Sequence, residues 1–199
     1  MSRSPSNILP ESFYSNPDVV DISRQLIGKR LCTFFNNRFT AGIITETEAY
    51  CGRNDHACHA NNGLRTERTE VMYGEPGHAY IYLCYGIHHL FNVVTNREGL
   101  ADAVLIRSVV PSEGLETIKE RRNNRTKKEL TNGPGKLSQA LGILTKFSGS
   151  DLYTTPVWIE DTTIAIPEIT PSQRIGVEYA GEDAKRLWRF LVRPEDIQV

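Results

Sequence analysis

Cysteine is scarce, four in 199 residues at 32, 51, 58 and 84; the even count could suggest two disulfides, but the size of the chain and the missing signal peptide argue against them. A chain of this length buries a sizeable core without cross-links, so buried free thiols are the plainer reading. Cysteine and histidine do not combine into a metal signature either. Cys51, His56, Cys58 and His59 match neither a CxxC nor an HxxxH pair, and no metal or other cofactor is expected. No apolar run approaches the ~20 residues that span a bilayer, so no membrane partner is expected. The opening MSRSPSNILPESFYSNP lacks the apolar stretch of a signal peptide, which makes the cytoplasm the expected location. Charge of one sign is missing as well: 23 Lys and Arg against 24 Asp and Glu leave a net charge of −1. Bulk charge therefore does not announce a nucleic-acid partner.

What is present is concentrated. All five histidines, and Tyr50, Tyr73, Tyr80, Tyr82 and Tyr85, fall between Glu46 and Asn92. The cations also cluster locally. Between Lys119 and Lys136 there are seven Lys or Arg, including Arg122, Arg125 and Lys127, against Glu120 and Glu129. A second group contains Arg65, Arg68, Arg97 and Arg107. Most charge runs are solvated faces, but local basic patches are also how proteins hold phosphates.

The order of patterns predicts a single α+β domain over 12–199, following a disordered start at 1–11 rich in Ser, Pro and Asn. Asn16-Pro17 reads as cap and first position of a helix that Gly28 stops. Residues 30–35 and 40–49 read as strands around an Asn36-Asn37 turn. Residues 51–78 hold no period and read as a long functional loop. Residues 79–84 and 89–94 form a hairpin about Tyr85-Gly86. A strand at 101–109, a helix at 112–122 capped by Ser112, a break at 132–135, a short helix at 136–142 and strands near 156–166, 173–178 and 187–193 complete the chain. Strands that follow one another without regular helical crossovers predict a curved, mostly antiparallel sheet with helices packed around it and a protruding hairpin.

The chemistry begins on the second strand. Side chains alternate along a strand, so Glu46, Glu48 and Tyr50 share a face. A carboxylate held against an aromatic wall can act as a general base on water. Tyr80 and Tyr82 share a face of the next strand, and Tyr85 sits at the hairpin tip with little core to fill. An exposed aromatic there can wedge between bases, and stacking on aromatic plates contributes ~1–3 kcal/mol per base.

ETEAYCG, His59 nine residues after Tyr50, GEPGHAYIYLCYGIHHLFN, AVLIRSVVPSEG, TNGPGKLSQALGI and RIGVEYAG together resemble the alkyladenine (3-methyladenine) DNA glycosylase family, in its bacterial form, in order and spacing over roughly 40–193. The resemblance implies a monofunctional glycosylase of base excision repair that flips alkylated or deaminated purines (3-methyladenine, 7-methylguanine, hypoxanthine) out of double-stranded DNA. It implies a monomer associated with the nucleoid. Glu48 would be the general base, with Arg107 and the backbone carbonyl of Ile175 holding the water. Tyr50, His59 and Tyr82 would form the base pocket, with Asn92 at its floor disfavouring the 2-amino group of guanine. Tyr85 would fill the gap in the duplex, seconded by Ile87, where animal members carry Met. Arg122, Arg125, Lys127 and Lys136 would grip backbone phosphates. Leu64, not Arg65, falls at the family's loop arginine.

The parts fit the reaction. Cleavage of the N-glycosidic bond develops positive charge on the sugar, which a nearby carboxylate offsets. No lysine neighbours the acid strand in sequence, so hydrolysis is favoured over a Schiff-base route. Other classes are weaker. Asn132–Lys136 fails as a Walker loop, since Gly133 and Lys136 are too close and Leu137 replaces Ser or Thr. A non-catalytic nucleic-acid binder gives no reason for the acidic strand. A metal hydrolase would rest on Cys58 and His59 alone.

Overall fold

The structure is a computed structural model and describes residues 6–126, 129–166 and 168–198. Its frame is a curled, antiparallel nine-stranded sheet with short helices against it. Two helical segments open the chain, α1 (Glu11–Tyr14) and α2 (Val19–Gln25). Strands β1 (Arg30–Phe35) and β2 (Arg38–Tyr50) follow. The irregular stretch after β2 contains two 3-10 turns, at Asn61–Gly63 and Glu70–Tyr73. Then come β3 (Ala79–Cys84), β4 (His88–Thr95) and β5 (Asp102–Glu113), and helices α3 (Leu115–Arg121) and α4 (Pro134–Leu141). Four short strands end the chain: β6 (Tyr153–Thr154), β7 (Val157–Glu160), β8 (Thr170–Ser172) and β9 (Arg189–Leu191). The strand order is β3-β4-β5-β2-β1-β7-β6, with β9 joining β2 to β8.

The long β2 is the axis of the site. Asn36 and Asn37, at φ 53° and 59°, make the tight turn that folds β1 back onto its first half; Asn tolerates this left-handed conformation better than other side chains. Where β1 ends, β9 takes over its edge and pairs Glu46–Glu48 with Arg189–Leu191, while β5 lines the other edge. The acidic stretch is therefore central and not an edge. On its far side Thr47 is pinned to α2, donating to the Ser23 carbonyl at 2.8 Å. Ile22, Leu26, Ile44, Phe91, Val104 and Ile106 pack around it as part of one apolar core.

Several boundaries differ from the sequence expectation for local reasons. Asp18, not Asn16, caps α2, accepting from the Val20 and Asp21 amides; the Asn16 side chain accepts from the Asp18 amide instead. Ser112 caps nothing. β5 stays paired with β2 through Glu113, and α3 starts only after Gly114, at φ 73°, where a Cβ would lie 2.3 Å from the Phe39 carbonyl. Pro134 opens α4 and does not block it, since a first-turn residue needs no N–H. Residues 174–177 leave the sheet, and the strand there is confined to Thr170–Ser172. Residues 1–5 of the expected disordered start lie outside the described residues; Ile8 bridges Glu160 and Leu9 is buried.

Candidate active site

Glu48 is fully buried in the middle of β2 and held by three groups. The Ile175 amide donates to its Oε1 at 2.8 Å, and the Tyr50 hydroxyl donates to its Oε2 at 2.8 Å. Arg107 Nη1 reaches the same Oε2 at 3.3 Å while its Nε holds Glu46 at 2.9 Å. Arg107 has its position because β5 bulges. Ser108 faces Glu46 and Ile106 faces Thr47, so Arg107 is the extra residue between them. Bulges of this kind re-aim side chains beside active sites. The Arg107 carbonyl also accepts from the Gly133 amide at 3.1 Å, which ties the turn before α4 to the same bulge.

Burial pushes the Glu48 carboxyl above the usual carboxylate range. Arg107, the Ile175 amide and the Tyr50 hydroxyl pull it back, and Glu46 adds to the rise. Tyr50 is in turn raised well above an ordinary phenol by burial and by Glu48. The hydroxyl stays protonated and donates.

In front of Glu48 lies a cavity of about 390 Å³. Tyr50, Arg107 and Ile175, the three residues that hold the carboxylate, all line it, together with His59, Tyr80, Tyr82 and Asn92. Tyr80 and Tyr82 stack at 5.5 Å, and His59 meets Tyr82 edge-on at 4.7 Å. The rings thus form an aromatic wall among which polar groups are interleaved, the character of a small-molecule site. His59 Nδ1 is 3.0 Å from the Tyr80 hydroxyl, and burial with the Arg68 charge lowers its pKa to about 4. It is neutral at physiological pH. Asn92, nearly buried, donates its amide to the carbonyls of Tyr80 and Leu90 at 3.0 and 3.3 Å.

The structure thus brings together Glu48, Tyr50, His59, Tyr82, Asn92, Arg107 and Ile175. For Ile175 it is the amide that meets the carboxylate. Tyr85 borders the same cavity from the tip of the β3–β4 hairpin, 91% exposed, with Ile87 beside it 70% exposed. The turn forces Tyr85 into the left-handed region at φ 51°, ahead of Gly86 at φ 73°. A bulky residue there is strained, and such strain gathers at functional positions.

The basic stretch is less uniform than its sequence suggests. Arg121 is spent on the Ala140 carbonyl and Thr40, and Arg122 on the Leu130 carbonyl and Gln139, so both tie α3 to α4. Lys119 pairs with Glu116. Arg125 is exposed, Lys136 reaches Asn132 at 3.0 Å, and Lys127 lies outside the described residues. Arg65 is held by Glu70. Among the described residues no cluster of His, Cys, Asp and Glu could hold a metal ion. Cys58 is buried, its thiol pushed up to about 12, and His59 is spent on its neighbours, so the metal-hydrolase alternative finds no support in this arrangement.

Sequence reasoning missed the support behind the site. Arg174, 4% exposed, holds Asp55 through two bonds of 2.6 and 2.7 Å and donates to the carbonyls of Ala49 and Asp183. Its guanidinium lies 4.9 Å from the Tyr50 ring. This pair joins the loop that carries His59 to the segment that carries Ile175. Arg174 stands inside RIGVEYAG and Asp55 inside GRNDHACH, but nothing in their spacing reveals a contact across 119 residues of chain.

A cavity of about 390 Å³ with aromatic walls, backed by a sealed carboxylate, has room for a flat heterocycle beside a general base. The comparison with known proteins makes the class specific: the chain belongs to the methylpurine-DNA glycosylase family, whose profile matches residues 12–196. It is therefore an enzyme that hydrolyses N-glycosyl bonds, and DNA is its partner. Among its relatives, a protein of Chlamydia pneumoniae provisionally named 3-methyladenine DNA glycosylase is 45% identical, covering 95% of this chain and 97% of that one. Proteins with the same provisional name are 45% identical in Chlamydia felis, covering 93% and 96%, and 43% identical in Bacillus cereus strain AH820, covering 91% and 93%.

Proposed function

We propose that this enzyme removes alkylated and deaminated purines, with 3-methyladenine, 7-methylguanine and hypoxanthine as its range, from double-stranded DNA by flipping each into the cavity and leaving an abasic site. The observation that carries the reading is the position of Glu48: a sealed carboxylate, raised by burial, touching three groups that line an aromatic pocket.

In this reading Tyr50 and Tyr82 are the plates and His59 is the edge partner of the flipped base. Asn92 forms the floor and disfavours the 2-amino group of guanine. A water held between Glu48, Arg107 and the backbone at Ile175 gives its proton to Glu48 as its oxygen attacks C1′. The bond from C1′ to the base breaks, its electron pair leaving with the base. The glutamate charge offsets the positive charge that develops on the sugar. A base methylated at N3 or N7 leaves readily because it already carries positive charge; hypoxanthine needs a proton or a hydrogen bond at N7. Tyr85, with Ile87, fills the space the nucleotide vacates. Arg125, Lys127 and Lys136 hold phosphates, and Arg122 keeps the turn that presents them. The protein works as a monomer, without a cofactor, where the chromosome lies in the cytoplasm.

The test is incubation with duplexes carrying 7-methylguanine or hypoxanthine, with EDTA present, scoring alkali-labile sites. Glu48→Gln should bind the damaged duplex as the parent does yet lose at least about 100-fold in single-turnover excision. Full activity in Glu48→Gln would overturn the assignment of the base, and absence of abasic sites with the parent would overturn 7-methylguanine and hypoxanthine as its substrates.

A further inference from the structure

Two guanidinium groups other than Arg107 lie against the aromatic plates of the cavity, and they are held differently. Arg174 lies 4.9 Å from the Tyr50 ring and is neutralised by Asp55. Arg68 lies 4.4 Å from the centroid of Tyr82 and donates to His59 Nε2 at 3.1 Å. Among the described residues Arg68 has no carboxylate partner. Arg107, the other cation lining the cavity, is matched by Glu46 and Glu48. Among the described residues Arg68 is therefore the one charge in the cavity wall that no neighbouring carboxylate balances.

The consequences follow from electrostatics. The π face of a tyrosine attracts a cation, and a resident guanidinium on Tyr82 already draws on that attraction. A positively charged base stacked in the same pocket would meet the guanidinium as a like charge. An uncharged base would not. The donation from Arg68 also makes His59 Nε2 an acceptor, so the ring's proton sits on Nδ1 and faces the Tyr80 hydroxyl. A protonated His59 would lose this bond and add a second positive charge, so Arg68 keeps the ring neutral as well.

We propose that Arg68 is a specificity-determining residue of this pocket, whose unbalanced guanidinium on Tyr82 and His59 disfavours purines with a fixed positive charge relative to uncharged purines. The inference rests on reading the cavity as the base pocket. It runs against the intrinsic reactivity of the lesions, because a cationic base is the better leaving group. Arg68 thus narrows a difference in rate that chemistry alone would leave wide.

The experiment compares single-turnover excision of 7-methylguanine and of hypoxanthine at mildly acidic pH. Arg68→Gln removes the charge and keeps a donor for His59. Arg68→Lys keeps the charge. Removing a unit charge several ångströms from another at a partly exposed site changes an equilibrium by about ten-fold, so the ratio of 7-methylguanine to hypoxanthine rates should rise roughly ten-fold in Arg68→Gln. In Arg68→Lys it should stay within about three-fold of the parent. The melting temperature checks the fold, and Arg68 is exposed enough for both variants to keep it. Equal changes for both lesions in Arg68→Gln, or the same shift in both variants, would overturn the proposal. A second readout separates it from the function. Free 7-methylguanosine and inosine are titrated against protein fluorescence, and their affinity ratio should move the same way. A shifted binding ratio in a protein that excises neither lesion would overturn the glycosylase range and leave the role of Arg68 standing. An unshifted binding ratio would overturn that role.

Discussion

At Glu48 two opposing effects meet, and burial wins. A general base works in its ionised form, so excision should fall as pH drops through the Glu48 pKa. That pKa lies above the ordinary glutamate range, and the acid limb of the single-turnover profile should lie above it too. His59, lowered to about 4, stays neutral through this window and adds no limb near the usual histidine value. Replacing His59 with Gln should change the rate yet leave the limb in place. Arg107 is the largest of the influences that pull Glu48 down, so Arg107→Gln should move the limb to still higher pH. A limb that follows His59 and ignores Arg107 would show that the wrong group has been assigned.

The β3–β4 hairpin is an element whose two ends have different tasks. Along β3, Tyr80 and Tyr82 face the cavity, and just below the tip Gly135 of α4 packs so closely on His88 that an added Cβ would lie 3.0 Å from the histidine side chain. This contact favours glycine at 135, a role separate from phosphate binding, while Gly133 sits at φ 136°. At the tip, Tyr85 makes no core contact and is held in a conformation that Asn adopts more easily. Tyr85→Asn should therefore leave the melting temperature unchanged or slightly higher. Excision from duplex DNA should drop sharply, and less so opposite a mismatch, where unpairing costs less. Fluorescence of 2-aminopurine beside the lesion reads the flipping equilibrium directly. If it is the same in both proteins, or if stability falls along with activity, Tyr85 is a packing residue and not a wedge.

Over the whole molecule, a net charge of −1 means that attraction to DNA has to come from where the cations stand. Three of the seven cations in 119–136 serve other partners in the fold: Lys119, Arg121 and Arg122. Few remain for phosphate. With three or four phosphate contacts, affinity for duplex should fall roughly 40- to 150-fold between about 50 and 200 mM salt. Arg125→Glu should weaken binding and flatten this slope without a change in melting temperature. Arg122→Glu should lower the melting temperature, because it breaks the join between α3 and α4. An affinity indifferent to salt would remove the basic stretch from the interface.

The sequence by itself determined the class of fold, the succession of most strands along the chain, and the acidic strand and aromatic hairpin that meet at the candidate site. These follow from local rules: alternation puts Glu46, Glu48 and Tyr50 on one face, Asn-Asn and Tyr-Gly demand tight turns, and a strand run without crossovers demands an antiparallel sheet. The helix expected from Ser112 starts later because β5 stays paired through Glu113, while Asp18 caps α2 in place of Asn16 and Pro134 opens α4 ahead of Lys136. Only the tertiary structure decided which charges are used and which remain free. Arg174 finds Asp55, Arg122 finds the Leu130 carbonyl, and Arg68 finds no acid among the described residues. Spacing along the chain carries no trace of this, since a buried ion pair is made by elements that meet only once the sheet has curled. The same closure seals Glu48 behind Tyr50, Arg107 and Ile175, and so turns an acidic strand into a base with a raised pKa.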